Sequence, residues 1–342
     1  GVVPMLLVAE NGRQWGWAST TSIAMYAISI VGIVSFIFAE RAAGEEAILP
    51  LKLFQNRTFA LTTVLGVIVG IGMFGGMMTL PLLLQIVNGV TPTQSGFLML
   101  PMVAGMMVAT TVSGQITSKT GKYKIFMVIG TGMLMLGYAT LFNYHYDTPL
   151  WAMSISMVII GMGLGQLMQT LTLAAQNAVE PRDIGVATSS TMFFRQMGGT
   201  LGVAVFISLL FNNLPDRIAD AFKSTAYGNP FKAKVGEIMA QFSEGKLPAT
   251  DPNVVFIQSL QADPAAIGDK LNGDSSFLST IDPVLARPFL VGFADSSIAV
   301  FVIAAAVVAV AFVLSFFLKA APLREKSAAE ENADAAVAAA AH

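Results

Sequence analysis

LTTVLGVIVGIGMFGGMMTLPLLLQIV, residues 61–87, runs for 27 residues without one charged side chain. As a helix it covers about 40 Å at roughly 1.5 Å per residue, more than the ~30 Å hydrocarbon layer of a bilayer. Working outward, the same character recurs along the chain. Seven complete hydrophobic spans read as Ser19–Ala39, Thr58–Val87, Thr91–Thr117, Tyr123–Asn143, Pro149–Val179, Gly185–Phe211 and Asp295–Leu318. Across all 342 residues 54% are hydrophobic and 12% charged, against roughly 25% charged in a soluble domain. The expected fold class is all-α: a polytopic membrane bundle of helices.

Composition also excludes. A net charge of −2 offers no basic surface for nucleic acid. With no cysteine, disulfides, thiolate-bound zinc and iron–sulfur clusters are all ruled out. The histidines are His145 and His342, too few for histidine metal or triad chemistry. An intramembrane enzyme needs a catalytic constellation at membrane depth, and none can be assembled, so the reading is non-enzymatic.

Orientation follows from counting cations. With a cytoplasmic C-terminus, Arg41, Lys52, Arg57, Lys119, Lys122, Lys124, Arg182, Lys319, Arg324 and Lys326 lie inside, and the short outer loops hold Arg13. That is a positive-inside bias, and the long segment 212–294 is exempt from the count. Trp15, Trp17 and Trp151 fall at the outer interface this topology assigns. The chain then divides into 1–18, the stump of a truncated membrane helix with an outer loop; 19–39, an extra central helix; 40–57, a cytoplasmic linker; 58–211, five helices of a bundle; 212–294, a long extracytoplasmic loop; 295–318, the last helix; and 319–342, a cytoplasmic alanine-rich tail. The spacing of Val235, Ile238, Met239 and Phe242 predicts a short amphipathic helix within the loop, covering the outer face.

Glycines crowd two spans, Gly66, Gly70, Gly72, Gly75 and Gly76 in one and Gly161, Gly163 and Gly165 in another. They let helices approach closely in lipid and lower the cost of bending and sliding. Polar residues at membrane depth are the sharper signal. Offsets of 3 and 10 residues put Gln169 at about 300° and Gln176 at about 280° from Gln166, on one side of a helix. Such a stripe either hydrogen-bonds neighbouring helices or walls a wet substrate cavity. Gln85 and Asn88 stand at the outer end of their span, where they are wetted in either case. Arg195 lies ~15 Å into its span, where an unpartnered arginine costs at least ~2.5–3.5 kcal/mol. It is a structural clamp or a gating or substrate-contacting residue. The first six spans carry no interior Asp or Glu, and Asp295 stands at a span entrance. A proton relay is therefore expected upstream of Gly1.

Three stretches carry a resemblance. GQITSKTGKYK, Gly114 to Lys124, resembles the cytoplasmic signature loop of the major facilitator superfamily: Gly114, Lys119, Gly121, Lys122 and Lys124 match, and Ser118 replaces the aspartate. EPRDIGVATSSTMFFRQMGGTLGVAV resembles the penultimate helix of its 14-span drug:proton antiporters, with Gly185, Ala187, Thr188, Arg195, Gln196, Gly198, Gly199 and Gly202 matching. ILPLKLFQNRTFAL, Ile48 to Leu61, is similar to the basic entry to that family's second six-helix bundle. The resemblance implies the C-terminal six-helix half of a transporter plus the preceding linker helices, with the N-terminal six-helix bundle missing. It implies a multi-pass protein of the bacterial inner (plasma) membrane, with no cofactor and the proton motive force as its energy source. Function would be secondary active efflux of lipophilic small molecules by alternating access. Export of one metabolite, or a non-transporting helper or sensor on the same fold, are the alternatives. On the family's fold the spans 58–87 and 149–179 line the cavity. The candidate cavity residues are thus Gln166, Gln169, Gln176, Gln85 and Met77, among flexible methionines that also include Met73, Met78, Met162 and Met168. Arg195, Gln196, Gly198 and Gly199 form the clamp or gate.

Overall fold

The structure, a computed structural model, describes residues 2–43, 51–262 and 276–318. Its helices are α1 (Val2–Trp15), α2 (Thr20–Ala43), α3 (Arg57–Val87), α4 (Pro92–Leu98), α5 (Leu100–Thr120), α6 (Tyr123–Thr140), α7 (Leu150–Asn177), α8 (Ile184–Lys223), α9 (Gly228–Ser243), α10 (Pro252–Ala262) and α11 (Pro283–Phe317). There is no strand among the described residues. Among the described residues, seven segments are long and apolar enough to cross a membrane: α2, α3, α4 with α5, α6 with its terminal turn, α7, α8 and α11. The alanine-rich tail 319–342 and the start of the Ile48–Leu61 stretch lie outside the described residues.

Local chemistry sets the ends. Asn56 caps α3, its Oδ1 accepting from the backbone of Thr58 (2.9 Å), while its Nδ2 donates to the Ala178 carbonyl (2.6 Å) and ties α3 to the end of α7. Thr91 and Gln94 form a reciprocal capping box on α4. α5 ends at Gly121, whose φ of 70° is the left-handed conformation that closes a helix. The segment 91–117, expected as one span, is two helices meeting at Met99, just ahead of Pro101 in the first turn of α5.

Two boundaries move further. The span expected to stop at Phe211 continues as α8 to Lys223, and the one expected to start at Asp295 begins as α11 at Pro283. Asp295 is therefore inside a helix rather than at its entrance. Asp216, Arg217, Asp220 and Lys223 lower the hydropathy beyond residue 211 without breaking the helix. Leu214, Ile218, Ala221 and Phe222 keep an apolar face packed on the core. The described residues of 212–294 thus form a folded cap built from the ends of α8 and α11 together with α9 and α10. In α9, Ile238 is buried and Val235, Met239 and Phe242 pack against the core, matching the expected spacing. Phe222 holds Phe231 and Phe289 edge-on at centroid distances of 4.8 and 5.4 Å, and Phe256 meets Phe289 at 5.6 Å. Asp282 caps α11 by accepting from the Val284 backbone (2.8 Å). Its own backbone N–H donates to Asn253 of α10 (2.6 Å), and its carboxylate lies 3.4 Å from the Lys234 ammonium of α9.

The bundle is organised by close seams. α3 lies along α8 and α11, α7 along α5 and α6, and α6 also meets α11. A β-carbon on Gly70 would overlap the Arg195 carbonyl oxygen of α8, and one on Gly198 or Gly202 would press on the backbone of Val67 or Ile71. On α7, Gly161 and Gly165 admit the backbone of α5, while Gly163 admits α6. Polar links cross the same seams. The buried Tyr138 hydroxyl donates to the Gly72 carbonyl (2.6 Å), and Thr110 donates to the Gly165 carbonyl (3.0 Å). At the end of the bundle that carries the cap, the buried Tyr144 donates to Asn88 Oδ1 (3.1 Å). α2 packs on α1 and leaves Ile23, Ile28, Ile30, Val31 and Phe38 exposed, as a lipid-facing helix does.

Gly70→Ala should force α3 away from α8 and lower the thermal stability of the purified protein by about 1–3 kcal/mol. Gly114→Ala should be neutral, since a β-carbon there meets nothing within 4 Å. Thermal unfolding in detergent checks both. A second outcome concerns pH. Burial pushes the Tyr144 hydroxyl from its ordinary value of 10.0 up to about 12, against the smaller opposing effect of Asn88. The native state then keeps a proton that the unfolded chain loses. Stability should fall as pH rises between about 10 and 12. In Tyr144→Phe that part of the alkaline loss should vanish, read as the pH dependence of the unfolding midpoint.

Candidate functional site

The three glutamines of α7 do not form one wall. Gln166 is buried at 6% exposure, its Nε2 donating to Met133 Sδ of α6 at 3.3 Å and its Oε1 without a hydrogen-bond partner. It belongs to the α6–α7 seam, beside Gly130. Gln169 is exposed and forms no hydrogen bond among the described residues. Gln176 is half-buried and donates to Thr188 Oγ1 of α8 at 2.9 Å, joining the end of α7 to the start of α8. The rotation explains the split. Gln169 and Gln176 differ by about 20° around the helix, whereas Gln166 is about 60° from Gln169, enough to turn it into the neighbouring helix. Of the two readings open to the stripe, packing describes Gln166 and Gln176, and the open position is Gln169.

Arg195 stands in the α3–α8 seam at 8% exposure, behind the glycines that let the two backbones meet. It forms no ion pair or hydrogen bond among the described residues, and its buried Nη1 has no partner. On α3, the buried Thr62 and Thr63 spend their hydroxyls on the carbonyls of Thr58 and Phe59, on their own helix. An unbalanced positive charge is thereby held about ten residues deep in α8. The other members of its motif divide by role. Gly198, Gly199 and Gly202 accept Val67, Phe74 and Ile71 of α3, and Gln196 is exposed. The motif is the packing surface of one helix pair, with Arg195 locked inside it.

Met77 is half-buried against the main core, and Met78 is 51% exposed. Gln85 lies near the C-terminal end of α3, its Nε2 donating to Ser95 Oγ of α4 at 3.1 Å. It lines a cavity of about 450 Å³ between the α3–α4 turn and the cap.

At the opposite end, the stretch from Gly114 to Lys124, expected as a loop, is the last turns of α5 and the start of α6, joined by a tight turn at Gly121 and Lys122. Gly121 supplies the left-handed residue, and Lys119 and Lys122 are exposed. Lys124 reaches across to donate its Nζ to the Phe316 carbonyl at the end of α11 (2.8 Å). A cation on the last carbonyls of a helix is favoured by the helix dipole. This contact ties the start of α6 to the end of α11 through a backbone carbonyl, and Ser118 takes no part in it. Sequence reasoning missed this contact, as it missed Tyr138 to Gly72 and Tyr144 to Asn88. Each joins residues far apart in the chain, and no local pattern marks them. Among the described residues no group of His, Cys, Asp or Glu is arranged to hold a metal ion.

Comparison with known proteins places this geometry. The sequence profile of the Major Facilitator Superfamily matches residues 1–203, from α1 through the glycine run of α8. A Streptomyces rimosus protein named "Tetracycline resistance determinant" is 32% identical over 331 residues, covering 97% of this chain and 91% of that one. The Bacillus subtilis "Multidrug transporter protein MdtP" is 34% identical over 335 residues, covering 97% and 59%. A Mycobacterium tuberculosis protein named "Uncharacterized MFS-type transporter" is 31% identical over 321 residues, covering 94% and 41%. The chain therefore spans nearly all of the first relative, about three fifths of the second and two fifths of the third. On the profile match and these identities, the chain belongs to the major facilitator superfamily.

Proposed function

We propose that the chain forms one wall of a proton-driven exporter of lipophilic small molecules that works by alternating access. The observation that carries the reading is Gln169. It is an exposed amide well inside the span of α7, with no hydrogen-bonding partner among the described residues. Hydrocarbon is a poor surrounding for such a group, because its polar atoms lose water and gain nothing. The face of α7 that bears it turns to a watery path, and the exposed methionine and aliphatic groups of α3 suit substrates that are apolar and varied. Relatives named for tetracycline resistance and multidrug transport support drugs as the cargo.

In this reading the opposite wall is a companion helical bundle. Relatives of which the chain spans 59% and 41% support it. The C-terminus is cytoplasmic and the membrane is the bacterial inner membrane, consistent with the cation count. The proton motive force drives the cycle. Arg195 serves as a gate: a buried cation without a counter-charge in this conformation favours any state that brings an acceptor to it, so it biases the alternation between states. The glycine seams let α8 shift along α3 without losing backbone contact. Lys124 holds the cytoplasmic ends of α6 and α11 together during that shift.

The chain has no cysteine, so single-cysteine labelling has no background. Gln169→Cys in membranes should react with a charged methanethiosulfonate reagent, and Gln166→Cys should be protected. Protection of Gln169→Cys in energised and de-energised membranes alike would show that this face meets lipid or protein, and would end the reading. With the companion bundle present, Arg195→Ala should reduce drug export in cells at least about tenfold with surface expression near normal. Unchanged export removes the gate.

A further inference from the structure

The cavity at the outer end of α3 has walls from two distant parts of the chain. One is the turn from Gln85 to Pro92, which leaves α3 through Gly89 at φ +66°. The other runs from Leu278 to Leu290, the last turn of the cap and the first turns of α11. Its volume of about 450 Å³ is in the range of small-molecule sites. None of its lining residues is charged, and most are aliphatic. The acid beside it in sequence, Asp282, is committed to the Val284 backbone and Lys234.

The polar groups in the wall are half used. Gln85 spends its Nε2 on Ser95 and keeps Oε1 as an acceptor. Asn88 spends its Oδ1 on the Tyr144 hydroxyl and keeps the Nδ2 donors. Thr91 Oγ1 is occupied as the cap of α4. With Ser279 in the second wall, the lining is uncharged and largely aliphatic but carries several polar groups, among them the Gln85 Oε1 acceptor and the Asn88 Nδ2 donors. That pair is complementary to a hydroxyl or an amide, and a cation finds no counter-charge there.

We propose that this pocket binds neutral lipophilic molecules bearing a hydroxyl or amide, as an outer station separate from the Gln169 face. Its role as the last stop of exported cargo rests on the exporter reading above, whereas its occupancy does not. The cap supplies half of the wall, so the station exists only where the ends of α8 and α11 project and fold together.

The test is photolabelling of the full chain in liposomes with trifluoromethyl-diazirinyl benzyl alcohol, a neutral ring compound with one hydroxyl. Saturable adducts are expected on both walls, within residues 85–92 and 278–290. Val90→Trp, which fills the pocket from a half-buried position, should abolish them. Gln85→Met keeps the volume, removes the acceptor and should weaken saturable labelling about fivefold. Should Val90→Trp fail to fold, Gln85→Met and competition by unlabelled benzyl alcohol decide. Labelling that does not saturate, or that both folded variants leave unchanged, overturns the site. Saturable pocket labelling, with no drug export from cells even when the companion bundle is present, keeps the site and removes the exporter reading. Export without saturable labelling does the reverse.

Discussion

Helices in a bilayer gain little from hiding apolar surface, because lipid is as apolar as they are, so they hold together by how closely their backbones approach. In this chain that closeness is a matter of where β-carbons are missing. Gly70 opposite Arg195, Gly198 opposite Val67 and Gly202 opposite Ile71 bring α3 and α8 into backbone contact along much of their shared length. α7 is served on two sides. Gly161 and Gly165 differ by about 40° around the helix and face α5, while Gly163 is about 200° from Gly161 and faces α6. Three glycines at two-residue spacing thus wedge one helix between two others.

That constraint decides what the polar residues can do. In the α3–α8 seam the backbones are too close for a long side chain to swing freely, and Arg195 is held where no acceptor reaches its Nη1. On α7, the wedge leaves one strip uncovered, and Gln169 is on it. The outer end differs in kind. There, aromatic packing around Phe222 and Phe289 and the Asn253–Asp282–Lys234 links join α8, α9, α10 and α11 into a cap with its own core. Membrane packing by small residues below and water-driven packing by large ones above meet where Tyr144 bonds Asn88.

The legible parts of the fold were those set by local sums. Each span declares itself because twenty or so apolar residues partition into lipid whatever surrounds them, and α9 declares itself by the period of Val235, Ile238, Met239 and Phe242. Hydropathy misplaced the ends of α8 and α11, because a helix leaving the membrane can carry Asp216 and Lys223 on one face and keep Leu214 and Phe222 buried on the other. The glycine motif around Arg195 was visible as a motif, and its partner helix was not.

Sequence by itself determined that seven segments are long and apolar enough to cross a membrane, roughly where each lies, and which residues are too small or too polar to face lipid. Those are properties of single segments and their solvent. Tertiary structure decided that Gln166 turns into α6 while Gln169 stays open, that Lys124 latches onto the Phe316 carbonyl, and that Gln85 shares a cavity with the cap. A rotation of about 60° separates a packing residue from an accessible one. The neighbours that give the rotation its meaning lie scores of residues away in the chain.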